Sequence, residues 1–376
     1  MGFFERLRGV QQLVELSLSY VARRPRAALP AAKVALQTGL RVRRAPVLHH
    51  DDSVLANLDE LVPVCSLVSD THLVAARQIP CELVHEPEQW PWGAMPSDAD
   101  LTGGVRRILA HVARHGPRTV VWCGDETDSG EPAEWREWKK AVDAVPGLVH
   151  RLVPGNHDIC FNRPFEQDYD LEQRAIRERA YQRHAGRLGD FPVVDTIVGD
   201  AGPVTIILLD SCRHRSTNVL SNAIGYFDDV QLADLARILK RVRGPVVCIA
   251  HHHVWRDARF MQPDDWFNIA VDADRLAAVL GEYRKRAAGN HVLVCHGHRH
   301  VLTTGTIGDG ITVVGLPSST LGDKGNGFRL DGILRYGIAG IRRDGTWGVA
   351  LQEVGPLTVA AERGETRQST YAEVVA

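Results

Sequence analysis

Short apolar segments alternate with longer amphipathic stretches from about residue 61 onward, and this alternation limits the folds open to the chain most strongly. The segments are rich in Val, Ile, Leu and Cys, which is typical of strands buried on both faces. They are Val62–Val68, Thr119–Cys123, Val149–Val153, Val204–Leu209, Val246–Ala250, Val292–Cys295 and Ile311–Leu316. Because helical patterns lie between several of them, the sequence predicts a layered α/β domain.

Four of the intervening stretches repeat apolar residues every three or four positions, which predicts amphipathic helices at 105–112, 135–142, 232–242 and 276–283. Pro132 stands near the start of the second, where proline fits the first turn of a helix. A fifth stretch, 166–187, alternates acidic residues with arginines. We expect a solvated, salt-bridged helix there, and a mobile cover over an active site is the alternative.

Five of the apolar segments end in turns that carry carboxylates, imidazoles or a carboxamide. The turns are Asp70-Thr71-His72, Gly124-Asp125-Glu126-Thr127-Asp128, Pro154-Gly155-Asn156-His157-Asp158, His251-His252-His253 and His296-Gly297-His298-Arg299-His300. Ligand sites in open α/β sheets form at the carboxyl ends of the strands. Each turn alone is a weak signal. Together they predict a metal cluster, because buried polar groups destabilise a fold unless they are paired.

Seven of these side chains divide into two ligand sets that share one carboxylate. Asp70, His72 and His300 can serve one ion, Asn156, His251 and His298 a second, and Asp125 can bridge both. Residues two apart on a strand end project to the same side, which suits the Asp-X-His and His-X-His spacings. All donors are oxygen or nitrogen, which favours Mn²⁺, Fe²⁺/Fe³⁺ or Zn²⁺ over a thiolate zinc site, and the histidines argue against Ca²⁺.

Taken in order, the motifs resemble the full signature of the calcineurin-like metallophosphoesterase superfamily. The resemblance spans residues 70–300, and the flanking strands extend it to about 61–345. It implies a four-layer αββα sandwich, and it places Asp70, His72, Asp125 and His300 on one metal ion and Asp125, Asn156, His251 and His298 on the other. It also implies that His157 contacts the phosphate and can protonate the leaving oxygen, and that Asp158 orients His157 or a neighbouring ligand.

The chain departs from the family pattern at a few positions. His253 stands where family members often carry proline, which leaves the roles of His252 and His253 open. Ser/Thr protein phosphatases read Asp-Arg-Gly and Gly-Asn-His-Glu, whereas this chain has Ser129 before Gly130 and Asp158 in place of the glutamate. The protein phosphatase branch is therefore disfavoured. The stretch from Leu209-Asp210-Ser211 through Gly225 to Gln231-Leu232 and Leu235 more closely resembles the phosphodiesterase-type bacterial members.

The expected activity is hydrolysis of a phosphodiester or phosphomonoester of a small molecule or nucleotide. Two ions about 3.5–4 Å apart would share a hydroxide of lowered pKa that attacks phosphorus in line. A nuclease would need a basic groove, and the net charge of −9 over residues 51–376 argues against a broad one. A nucleotide-lipid pyrophosphohydrolase is a third reading. A non-catalytic metal-bound scaffold is disfavoured, since every expected ligand and His157 are present.

Residues 1–50 differ in charge from the rest, with nine basic and two acidic residues. We expect three parts: a basic helical extension at 1–60, a metallophosphoesterase domain at 61–345, and a C-terminal strand or tail at 346–376. The extension would pack on the domain or on a second subunit; contact with a membrane surface or an acidic partner is the alternative. The seven cysteines form no CxxC pair and no secretory signal is evident, so we expect a reducing, cytoplasmic location.

Overall fold

The structure, a computed structural model, describes residues 41–75, 100–159, 171–213, 224–257, 268–325 and 330–357. These residues form twelve strands and six α-helices. The strands are β1 (His49–His50), β2 (Val62–Val68), β3 (Thr119–Trp122), β4 (Val149–Leu152), β5 (Val193–Gly199), β6 (Gly202–Leu208), β7 (Val246–Ile249), β8 (Val292–His296), β9 (Thr303–Ile307), β10 (Ile311–Gly315), β11 (Ile333–Ile341) and β12 (Trp347–Pro356). The helices are α1 (Leu101–His115), α2 (Pro132–Asp143), α3 (Asn156–Ile159), α4 (Leu171–Ala185), α5 (Asp229–Leu239) and α6 (Ala273–Lys285).

The strands form two sheets. The first has five strands in the order β12-β11-β2-β3-β4, and the second has seven in the order β1-β9-β10-β8-β7-β6-β5. Strands β2, β3 and β4 run parallel in the first sheet, and β6, β7, β8 and β10 run parallel in the second. The turns that follow β2, β3 and β4 therefore meet at one edge of the first sheet, as those that follow β7 and β8 do in the second.

The core shows four layers. Alternate residues of β7 and β8, such as Val247 and Leu293, belong to a cluster that includes the inner face of the first sheet. Their neighbours Val246 and Val292 face the other way, into a second cluster with apolar residues of α5 and α6. Helices α1 and α2 pack on the outer face of the first sheet. The αββα sandwich is confirmed, and so are all seven predicted strands.

Helices α1 and α2 begin where the sequence provides a cap. Asp100 accepts a hydrogen bond from the Gly103 N–H at 2.8 Å at the start of α1. Pro132 occupies the first turn of α2, and Glu134 accepts from the backbone N–H of Glu131 at 3.1 Å. All four predicted amphipathic helices are present as α1, α2, α5 and α6.

Helix α4 corresponds to the described part of the charged segment, whose first residues lie outside the described ranges. Arg174 and Glu178 form an ion pair at 2.6 Å, as a salt-bridged helix predicts, although the Arg174 side chain is largely buried. Its other face is packed: Tyr181 is fully buried and donates to the Leu152 carbonyl at 3.2 Å. An aromatic side chain thus packs the helix against the first sheet, and the charge pattern of the segment did not predict this contact.

Both ends of the described chain add strands to the sheets. Strand β1 pairs with β9, and β12 pairs along the whole of β11. The boundaries predicted at residues 60 and 345 stay a prediction, and residues 1–40 and 358–376 lie outside the described ranges. Among the helices of the described residues, none has the length and apolar character needed to cross a bilayer.

Candidate metal centre

The turns after five parallel strands meet at one end of the sandwich. The structure brings together all seven side chains predicted as ligands. The first sheet supplies Asp70, His72, Asp125 and Asn156, and the second supplies His251, His298 and His300. The centre therefore lies across the junction of the two sheets.

The backbone at this junction is unusual. Among the described residues, the non-glycine residues with positive φ are Asp70 (50°), His72 (43°), Asp125 (56°), His298 (71°) and His300 (54°). L-residues seldom adopt this region, and where they do the strain tends to mark functional sites. Five of the seven predicted ligands thus share a backbone conformation that is uncommon for residues other than glycine, although Asp and His tolerate it better than most.

Asp70, His72 and His300 form the first group, and all three are fully buried. His300 Nε2 lies 3.0 Å from His72 Nε2 and 3.3 Å from Asp70 Oδ1. On its other side, His72 Nδ1 lies 3.5 Å from the Asp128 carboxylate. A carboxylate behind a histidine fixes the ring orientation of a metal ligand.

Asn156, His251 and His298 form the second group. His251 Nε2 lies 3.0 Å from Asn156 Oδ1 and 3.1 Å from His298 Nδ1. His251 Nδ1 contacts the Cys123 carbonyl at 3.0 Å. Since a carbonyl only accepts hydrogen bonds, Nδ1 carries a proton, and Nε2 is the nitrogen that would face an ion once it has lost its own proton.

Asp125 lies between the groups. Its Oδ2 is 3.0 Å from His251 Nε2, and its Oδ1 accepts from the His157 backbone N–H at 2.8 Å. Ligand atoms of Asp125 also lie within 4.8 Å of those of Asp70 and His72. This is the position that a carboxylate bridging two ions needs.

The electrostatics of the pocket favour a positive charge at its centre. Burial lowers the pKa of His251, but the carboxylates of Asp125 and Asp70 outweigh burial and raise this pKa to about 9. Although burial alone would raise the pKa of Asp125, the neighbouring His251 and His157 lower it. The ring of His298 is neutral, because burial lowers its pKa well below the usual value, and its buried Nε2 has no hydrogen-bond partner among the described residues. Lone pairs that converge in this way fit metal ions.

Two glycines let the polypeptide approach the carboxylates. A Cβ on Gly155 would overlap the Asp125 carboxylate and backbone, and one on Gly297 would overlap the Asp70 carboxylate. Each turn can therefore hold only glycine without displacing a predicted ligand.

His157 lies at the rim of the centre and Asp158 beneath it. The Nδ1 atom of His157 donates to the Asp128 carbonyl at 2.8 Å, and its ring stands edge-on to His72 with centroids 4.7 Å apart. Asp158 is fully buried, and its carboxylate accepts from the backbone N–H groups of Asp125, Thr127 and Gly155, each at 2.9 Å. It thus ties together the turns after β3 and β4. One of these N–H groups belongs to Asp125, a predicted ligand. That Asp158 orients a ligand stays a prediction.

Asp128 is a residue whose role the sequence reasoning did not assign. Its carboxylate faces His72, and its carbonyl accepts from His157. The signal was present, because Asp128 is the second carboxylate of the Gly-Asp-X-X-Asp motif.

Not every histidine of the turns joins the centre: His296 accepts from the Trp255 indole N–H at 3.0 Å and packs beside His253.

The model of the calcineurin-like phosphoesterase family matches residues 67–302, which is more than half of the chain. The chain belongs to the calcineurin-like phosphoesterase family. Calcineurin-like phosphoesterases are a class of binuclear metal enzymes, and the two groups of His and Asp side chains agree with that description.

A curated relative is the probable glycerophosphodiester phosphodiesterase of Arcobacter nitrofigilis. It is 26% identical over 211 residues, which cover 54% of this chain, and the chain spans 65% of that relative's length. Among solved structures, a dimetal phosphatase from Danio rerio is 16% identical, with 79% of this chain and 97% of that one covered at a TM-score of 0.48. A putative 5′-nucleotidase from Staphylococcus aureus is 12% identical, with 77% and 54% covered at a TM-score of 0.43.

Proposed function

We propose that the protein is a metal-dependent phosphoesterase that hydrolyses a phosphodiester or phosphomonoester of a small molecule or nucleotide. The observation that carries this proposal is the convergence of oxygen and nitrogen donors on two adjacent positions, with the Asp125 carboxylate facing both. Membership of the calcineurin-like phosphoesterase family supports it.

Two metal ions would occupy these positions. Asp70, His72, Asp125 and His300 would hold one, and Asp125, Asn156, His251 and His298 the other. Because no thiolate lies among these donors, we propose Mn²⁺, Fe²⁺/Fe³⁺ or Zn²⁺ as the native ions. When bound, such ions supply a water molecule of lowered pKa and positive charge against the phosphoryl oxygens.

His157 would act on the substrate directly. Its Nδ1–H is fixed on the Asp128 carbonyl, so we assign Nε2 to a phosphoryl or leaving-group oxygen. In the protonated ring, Nε2 would stabilise charge on that oxygen and pass a proton to the leaving group. Asp158 would be a positioning residue, since its carboxylate holds the Asp125 backbone.

A phosphodiester is the substrate class we propose first. The support is the similarity to a relative described as a glycerophosphodiester phosphodiesterase. The sequence departures at Ser129 and Asp158 from the protein phosphatase pattern point the same way.

The test is a substrate panel assayed after reconstitution of metal-free protein with Mn²⁺, Fe²⁺ or Zn²⁺. Bis- and mono-p-nitrophenyl phosphate, glycerophosphodiesters, cyclic nucleotides and nucleotide diphosphates cover the candidate classes. We expect metal-dependent turnover that is faster on diesters than on monoesters. If the chain bound two ions yet hydrolysed none of these compounds, it would be a metal-bound scaffold and the proposal would fail.

The cytoplasmic location and a peripheral role for residues 1–50 stay predictions. Four cysteines, Cys65, Cys123, Cys248 and Cys295, are fully buried, where a thiol serves as a small core residue. Residues 1–40 lie outside the described ranges. Loss of vesicle co-sedimentation on deletion of residues 1–40 would support a membrane contact.

A further inference from the structure

His252 is a buried histidine next to the metal centre that neither of the two ligand sets uses and that has no role assigned above. It is 1% exposed and follows His251 directly in the turn after β7. Its ring centroid lies 5.0 Å from that of His251 and 4.5 Å from that of His298. One ring nitrogen of each of these three histidines lies within 4.8 Å of the others. A third imidazole therefore stands at the second metal position.

The His252 ring is held from behind. Ser211 Oγ is hydrogen-bonded to His252 Nδ1 at 2.8 Å and accepts from the His252 backbone N–H at 3.2 Å. Because Ser211 engages Nδ1, Nε2 is the nitrogen that this ring can offer to an ion. Gly225 also packs against this residue, so closely that a Cβ there would lie 2.6 Å from His252 Cβ.

Ser211 itself sits on a fixed segment after β6. The preceding residue, Asp210, receives a hydrogen bond on its carbonyl from Gln231 Nε2 and donates its N–H to Gln231 Oε1, both at 2.8 Å. A buried carboxamide thus anchors the residue before Ser211 to α5. Side chains that are locked in this way are typical of groups that orient metal ligands.

His253 provides the contrast within the same turn. It is also fully buried, but its ring packs against Trp255 at 5.2 Å and His296 at 5.9 Å between centroids. It belongs to none of the four candidate metal groups among the described residues. Two adjacent buried histidines therefore have different surroundings, and only His252 faces the centre.

We propose that His252 is an additional imidazole ligand of the ion held by Asn156, His251 and His298, and that Ser211 orients its ring for this purpose. The proposal rests on the two-metal centre proposed above. It gives the second position three histidines where the first has two. Since imidazole favours Zn²⁺ and Fe over Mg²⁺ and Mn²⁺, the extra nitrogen would bias the second position towards the former.

The test is a titration of metal-free full-length protein with Co²⁺. Calorimetry measures the affinity of each site, and visible absorption reports the coordination of the bound ion. We expect two binding events in the wild type. In His252→Gln, one event should weaken on the order of tenfold to a hundredfold and its absorption band should change, while the other event stays the same. Ser211→Ala should weaken the same event by an amount between those of the wild type and His252→Gln. His253→Gln should leave both affinities within about twofold of the wild type.

Unchanged affinities and spectrum in a folded His252→Gln protein would overturn the proposal. Should that variant fail to fold, the crystal structure of the Co²⁺-loaded wild type decides. A distance near 2.1 Å between the ion and His252 Nε2 supports the proposal, and one beyond about 3 Å overturns it. If instead the wild type bound fewer than two ions, the metal centre itself, and with it the proposed function, would be wrong.

Discussion

Asp125 is the residue on which both ligand groups depend. Its carboxylate lies 3.0 Å from His251 Nε2, and its backbone N–H is held by Asp158 at 2.9 Å. Replacing it would leave two cations without their shared negative charge.

Asp125→Ala should therefore remove most of the activity. We expect turnover to fall at least about a thousandfold, which corresponds to roughly 4 kcal/mol of transition-state stabilisation. Bound metal, measured by elemental analysis of dialysed protein, should drop below two ions per chain. Asp143→Ala, on the exposed face of α2, is the control and should change neither quantity. Near wild-type turnover with full metal content in Asp125→Ala would show that the bridging assignment is wrong.

Gly155→Ala tests the same carboxylate from the backbone side. The new methyl group would overlap the Asp125 side chain, so we expect weaker metal binding and at least about a tenfold loss of turnover. Gly189→Ala is a matched control, because a Cβ there meets nothing within 4 Å. Equal activity of the two variants would mean that the Gly155 turn can shift without cost.

The identities of the candidate ligands could be predicted from the sequence because residue type and strand-end position both pointed to them. The partners of those ligands could not. Nothing in the local pattern places Ser211 behind His252, since the two residues are 41 positions apart. The left-handed backbone at His298 and His300 likewise follows from tertiary packing, because even histidine adopts this region only rarely and no local pattern marks where it will do so.

At the scale of elements, aromatic contacts join α2 to β3 and β4. Trp122 on β3 donates its indole N–H to His150 Nδ1 on β4 at 3.0 Å. The Trp122 ring packs edge-on against Trp138 of α2, with centroids 5.5 Å apart. His150 must stay neutral at Nδ1 to accept this hydrogen bond, and burial, helped by Arg151, lowers its pKa to about 4.

This contact predicts a pH dependence of stability. In the unfolded chain His150 binds a proton near its ordinary pKa of about 6.5, whereas in the folded protein it does so only near 4. The stability that the neutral His150 ring contributes to the folded protein is therefore fully present above pH 6.5. This stability is lost as the pH falls towards 4. We expect the unfolding free energy of the wild type to fall more than that of His150→Gln between pH 7 and pH 4.5, as measured by urea denaturation. If the unfolding free energy fell equally with pH in the two proteins, the role assigned to His150 would be wrong.

The elements that the sequence did not predict are mostly antiparallel or at sheet edges. Strand β11 contains Gly337 and Gly340, which interrupt its apolar pattern. The structure explains Gly340, since a Cβ there would lie 2.8 Å from the Val62 carbonyl of the neighbouring strand. Strand β5 alternates between half-buried and exposed residues at the end of the second sheet, so it lacked the continuous apolar run that marked the buried strands.

At the scale of the whole molecule, the metal centre joins the two sheets. Asp70, Asp125 and Asn156 follow strands of the first sheet, while His251 and His300 follow strands of the second. Ions bound there would link layers that otherwise meet through apolar side chains. Because such ions bind the folded state and not the unfolded one, they should add to its stability.

Metal removal should therefore lower the melting temperature. Free metal at about 100 times its dissociation constant adds roughly 2.7 kcal/mol per site. Differential scanning calorimetry of chelator-treated protein, with and without added Mn²⁺ or Zn²⁺, measures the effect. In Asp125→Asn, added metal should raise the melting temperature much less than in the wild type, while the variant keeps the fold. An equal rise in melting temperature in that variant would show that the stabilising ions bind elsewhere.

The five left-handed ligand positions also have a consequence for how the protein opens. Each costs the fold about 1 kcal/mol or more, and all five lie at one end of the sandwich. We therefore expect that end to be less stable than the sheet interiors in the metal-free protein, even though its side chains are buried. After chelation, the amide hydrogens at that end should exchange with solvent sooner than those of the sheet interiors. Local unfolding would then begin at the proposed catalytic site and spread from it.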